Sequence, residues 1–110
     1  MLEARERLIA DMRHPPTAGE LATSVGLSEK RLNAGFRIEF GATVFEVLRN
    51  ERLEHARVAI ETGYVTLKHV AFRVGYNYVN NFIHAFTTRY GSPPRRYAER
   101  HKRETHAGRG

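Results

Sequence analysis

The chain contains no cysteine, which excludes disulfides and thiolate-held metal ions. No apolar run approaches the ~20 residues that a membrane span needs, and no cationic start leads into an apolar stretch as in an export signal. The cytoplasm is therefore the expected compartment, with no membrane partner. Period-two alternation of apolar and polar residues is missing too, so no strand is predicted. Catalytic constellations are equally lacking. The histidines at His14, His55, His69, His84, His101 and His106 include no i, i+4 pair bracketing a glutamate, as zinc proteases need. Glu51 and His55 could share a helix face and read as a surface pair. There is no nucleophile elbow, phosphate-cradling glycine loop or paired-carboxylate pocket. The sequence thus predicts no catalytic residue, no metal and no cofactor, and an enzyme is not expected.

What the chain does have is a repeat. Thr17, Leu21, Ala22, Val25, Gly26 and Leu27 recur 49 residues later as Thr66, Val70, Ala71, Val74, Gly75 and Tyr76. Past the glycine the offset becomes 50, pairing Leu32, Phe36, Phe40 and Gly41 with Phe82, Phe86, Tyr90 and Gly91. One supersecondary unit has been used two times, and the second copy carries one extra residue in or just after its turn. Helix, glycine turn, helix is the helix-turn-helix pattern.

Apolar spacing and capping residues place the remaining elements. A first helix spans 2–13, stopped by Pro15 and Pro16. Thr17 and Glu20 form a capping box for a helix to about Val25, and Ser28 caps another that runs to Phe40. A long pattern from Thr43 to Thr62 predicts a rod of ~30 Å. Thr66 opens the first helix of the second copy, Asn77 or Tyr78 opens its partner, and Ser92-Pro93 opens a last helix. The fold class is all-α. About seven helices form two helix-turn-helix subdomains in a homeodomain-like arrangement, joined by the long helix. The expected boundaries are 1–42 for the first subdomain, 43–62 for the linker helix, 63–101 for the second subdomain and 102–110 for a basic, disordered tail.

Net charge is +6 with a pI near 10.2, a balance that favours polyanions. The second helix of such a motif enters the major groove with its N-terminal residues at base edges. In the first copy that selects Glu29, Lys30, Asn33 and Ala34 for base contacts. Asparagine can bond adenine at two points, lysine can bond guanine, and alanine can touch a thymine methyl. In the second copy it selects Val79, Asn80, Ile83 and His84, on a helix whose only formal charge is Arg89. Phosphate contacts are expected from Thr17, Ser28, Arg31, Arg37, Thr66, Thr87, Thr88, Arg95 and Arg96. Successive major grooves on one face of B-DNA recur at about 34 Å, close to the length of the predicted rod. The expected target is therefore double-stranded DNA read in two unlike, tandem half-sites.

The stretches "ELATSVGLSEKRLNAGFRIEFG", "VLRNERLEHARVAI" and "VAFRVGYNYVNNFIHAFTTRYGSPPRRY" resemble the DNA-binding domain of the AraC/XylS transcription regulators. The last carries that family's Val70-Ala71, Gly75-Tyr76, Phe82, Ala85-Phe86, Tyr90-Gly91, Pro94 and Tyr97. The resemblance spans roughly 18–100 and implies a promoter-binding activator or repressor that contacts RNA polymerase. It implies that an effector-binding domain ahead of this region is absent from the chain, or that the chain is one of the short, stand-alone members. It places the family's base-contacting positions on Lys30, Asn33 and Ala34, and on Val79, Asn80, Ile83 and His84. Ala34 and His84 stand where arginine is common, and Thr87 stands where lysine is common. The rival reading is a protein-interaction module, docking on RNA polymerase or on the absent sensor domain, with weak non-specific DNA affinity.

Overall fold

The computed structural model describes residues 1–64 and 66–107. Seven helices and no strand occur among these described residues: α1 Leu2–Ile9, α2 Ala18–Ser24, α3 Glu29–Phe40, α4 Val44–Thr62, α5 Leu67–Val74, α6 Val79–Tyr90 and α7 Pro94–Ala107. Contacts divide the chain into two compact units, Met1–Arg52 and Leu53–Gly110.

In the first unit the capping box predicted for α2 is complete. Glu20 N–H donates to Thr17 Oγ1 at 3.1 Å and Thr17 N–H donates to Glu20 Oε1 at 3.2 Å. Thr43 and Glu46 repeat the device at the start of α4, at 3.0 and 3.3 Å. α1 stops at Ile9, four residues before the predicted end. Asp11 draws the chain out of the helix: its carboxylate accepts Arg13 N–H at 3.1 Å and lies 3.2 Å from His14 Nδ1, a local bond that competes with the helix ladder. The Met12 carbonyl is held by Arg52, whose Nε and Nη2 donate to it at 3.1 and 2.7 Å. Ala4, Leu8, Leu21, Ala22, Leu32 and Phe36 meet Val44, Val47 and Leu48 in one core.

The second unit repeats this plan. Its core joins Val70, Ala71, Val74, Phe82 and Phe86 to Leu53, Ala56 and Ile60. The two turns are closed by equivalent bonds, Leu27 N–H to Ala22 O at 2.9 Å and Tyr76 N–H to Ala71 O at 2.8 Å. Gly26 and Gly75 take the positive φ that these turns require, at 72° and 109°. The inserted residue falls between the turn glycine and α6. Ser28 caps α3 two positions after Gly26, whereas Tyr78 precedes α6 three positions after Gly75.

Two expectations about boundaries change. The stretch 43–62 is one helix but not a separate linker, since its first half is buried in the first core and its second half in the second. An amphipathic helix must bury its stripe, and each small lobe lacks enough apolar surface without it. The chain from 102 is helical as far as Ala107 rather than a loose tail, because α7 meets no glycine or proline until Gly108. The rest of that expectation, 108–110, lies outside the described residues.

Arg57 on α4 organises the second unit's polar side. It is bonded to both Glu54 and Glu61, and Tyr90 and Tyr97 donate their hydroxyls to the same two carboxylates at 3.1 and 2.5 Å. The network fastens the end of α6 and the first turns of α7 to α4.

Candidate nucleic-acid interface

On α3 the inward positions Leu32 and Phe36 are fully buried. At 100° per residue the opposite face is Lys30, Arg31, Ala34, Arg37 and Ile38, and all five are exposed. Three of them are cations, so this helix presents a positive surface to solvent.

Two predicted base contacts of α3 lie beside neighbouring elements. Asn33 is half-buried, and its Oδ1 accepts the N–H of Val44 at 3.0 Å. The bond ties α3 to α4 and takes one of the two lone pairs of that oxygen, leaving the other and the Nδ2 donors for the adenine contact expected of Asn33. Glu29 is exposed, but its carboxylate leans over α2: a Cβ on Gly19 would stand 2.9 Å from its Oε1.

On α6 the same construction leaves Asn80, Asn81, His84 and Thr88 exposed. The predicted Val79 and Ile83 are half-buried and pack against the second core. Thr87, expected at phosphate, is half-buried and donates its hydroxyl to Ile83 O at 2.7 Å. Asn81 escaped the sequence reading. Its angular position was the available signal: it lies 60° from His84, whereas Val79 lies 140° away on a regular helix. The second face is therefore built of amides, an imidazole and a hydroxyl.

The remaining phosphate candidates are exposed: Arg31, Arg37, Arg95, Arg96 and Thr88 carry donors in solvent. Thr17, Ser28 and Thr66 each cap a helix, accepting a backbone N–H at 3.1, 3.2 and 3.0 Å. A capping hydroxyl accepts with a lone pair and keeps its O–H as a donor, which is the polarity a phosphate oxygen requires. Among the described residues no cluster of three or more histidine, aspartate and glutamate side chains is arranged to hold a metal ion. No described helix is long and apolar enough to cross a membrane.

Residues 21–100 match the helix-turn-helix domain family. The regulatory protein PchR of Pseudomonas aeruginosa is 43% identical over 53 residues, which are 48% of this chain and 18% of that protein. A DNA-binding transcriptional dual regulator from Escherichia coli K-12 superposes with a TM-score of 0.75 at 27% identity, over 91% of this chain and 93% of that one. The DNA-binding domain of AdpA, solved with a target DNA, shares the fold with a TM-score of 0.84 at 20% identity, over 94% and 93% of the two chains. The chain spans between 18% and 30% of the length of the curated relatives it matches.

Proposed function

Because this chain belongs to the AraC-type helix-turn-helix family of DNA-binding transcription regulators, we propose that it reads a specific double-stranded DNA site with α3 and α6 in successive major grooves. The observation that carries the reading is that both copies of the motif hold the outer face of their second helix clear of the cores. Lys30 and Ala34 read bases from α3, and Asn80, Asn81 and His84 read them from α6. Arg31, Arg37, Arg95, Arg96 and Thr88, with the capping hydroxyls of Thr17, Ser28 and Thr66, hold phosphates. The two faces differ in chemistry, so the half-sites are unlike and lie in tandem. Such a regulator works in the cytoplasm, on the bacterial nucleoid.

Selection from a random duplex pool tests this directly. The expected winner is a site of about two helical turns with two different half-sites. A palindrome would instead point to two chains binding as a dimer, and no enrichment over random duplex would remove sequence reading.

A second reading, contact with RNA polymerase or with a sensor domain ahead of this region, draws on the first unit. Phe45 on α4 is 70% exposed, apolar surface that suits a protein partner better than a phosphate backbone.

A further inference from the structure

The two copies of the motif differ where the first helix meets the start of the second. In the first copy Glu29 leans across Gly19. In the second copy Val79 stands in place of Glu29 and Lys68 in place of Gly19, and Asn77 lengthens the turn. The corner there is an open groove of about 610 Å³, within the range of small-molecule sites.

Its walls are aromatic. Phe72 and Tyr78 are 54% and 71% exposed, and Tyr76 lines the groove with them. The first copy has Thr23 and Ser28 at the positions of Phe72 and Tyr78, so the aromatic walls belong to the second copy alone. Lys68 and His69 stand on the α5 side and Asn80 at the start of α6. No acidic side chain occurs among the described residues that line it. Flat apolar walls beside the exposed Lys68 ammonium match a planar ring that bears a negative group.

We propose that this groove is a binding site for a small aromatic carboxylate, with its ring against Phe72 and Tyr78 and its carboxylate at the Lys68 ammonium. Asn80 belongs to the groove and to the proposed reading face of α6. Occupancy therefore opposes DNA binding at the second half-site, and this consequence alone rests on the DNA-reading proposal. The ligand acts as a releasing signal, placed inside the reading motif itself.

The test is a titration of the full chain with naphthoate, followed by amide chemical shifts without DNA. Saturable shifts centred on Lys68, Phe72, Tyr78 and Asn80 are expected. Lys68→Gln, or replacing naphthoate by naphthalenemethanol, should weaken binding on the order of tenfold, the loss of one charge-assisted bond. Phe72→Ala should weaken it through the ring. Both substitutions fall on exposed side chains, and an unchanged unfolding midpoint confirms that the variants are folded. Shifts centred on the arginines of α7, or equal binding of the alcohol, would overturn the site. So would a lack of saturation at millimolar naphthoate. Addition of naphthoate should release a selected duplex from the wild type and leave the Lys68→Gln complex intact. Because the titration needs no DNA, a failure of DNA reading and a failure of the groove give separate results.

Discussion

The Oδ1 of Asn33 on α3 accepts the N–H of Val44, the first residue of α4, at 3.0 Å. That N–H is one of the four that a helix start leaves without an intrahelical partner, and the half-buried carboxamide supplies the acceptor. Asn33→Ala is expected to lower the unfolding free energy by about 1–2 kcal/mol and to weaken all duplexes alike. Denaturant unfolding beside a panel of single-base-pair variants checks this. A loss confined to one base pair, with stability unchanged, would return Asn33 to the reading face.

Lys30 and Arg37 share the exposed face of α3, but Lys30 is in its first turn and Arg37 two turns further on. Lys30→Ala should cost about 1–3 kcal/mol of binding and relax preference at one end of the selected site. Arg37→Ala should weaken every sequence similarly and reduce the slope of log affinity against log salt by about 1. Salt titrations on cognate and scrambled duplexes separate the two roles. If Lys30→Ala behaves like Arg37→Ala, the first motif grips the backbone without reading it.

On α6, Asn81 is exposed while Ile83 packs on the second core. Ile83→Ala should therefore destabilise the fold by roughly 1–3 kcal/mol, since the site is only half-buried. Asn81→Ala should change stability by no more than ~0.5 kcal/mol while altering base preference in the second half-site. Thermal unfolding and a repeat of the pool selection decide between them. An Asn81 variant that selects the wild-type site unchanged would leave Asn80 and His84 as the only polar readers on that helix.

Helix positions were legible because their signals are local. Thr17, Ser28 and Thr66 cap where they should, and Gly41 and Gly91 end α3 and α6 in the left-handed conformation. The core was legible for a related reason: Leu32, Phe36, Phe82 and Phe86 repeat at helical spacing and are fully buried. The reading faces were harder, because periodicity gives a face but not what lies against it. Residue type suits Asn33 to adenine, and no local pattern shows that α4 begins within reach of its oxygen. Nor does any local pattern show that Val79 and Ile83 pack against the second core. The Arg57 network, reaching 36 residues along the chain to Tyr90 and Tyr97, left no trace in any local pattern.

Phe45 in the first unit offers a way to divide DNA binding from partner contact. Replacing it by serine removes exposed apolar surface and no core packing, and it lies off the reading face of α3, so affinity for a selected duplex should stay within about twofold. Transcription from a template carrying that site should fall if this side chain meets the polymerase. Reconstituted transcription beside duplex binding measures both at once. Unchanged transcription with Phe45 replaced would remove this surface as a polymerase contact.

Acid should loosen the second unit through the carboxylates around Arg57. Glu54 is held below its ordinary range chiefly by its bond with Arg57, and Glu61 chiefly by the Tyr97 hydroxyl. Tyr97 is shifted the other way, up, by burial and then by its bond to Glu61. A glutamate in the unfolded chain titrates near 4.3. A lower folded value means that these groups contribute fully above that pH, and that the contribution is lost as pH falls through the folded values. Stability of the chain should therefore decline below about pH 4. Tyr97→Phe removes the leading cause of the Glu61 shift, so the variant should be less stable than wild type at neutral pH and should approach it in acid. Urea unfolding of both proteins between about pH 7 and about pH 3 reads the difference. Curves that stay parallel across the range would mean that Tyr97 acts through ring packing, and that its bond to Glu61 carries no proton-linked stability.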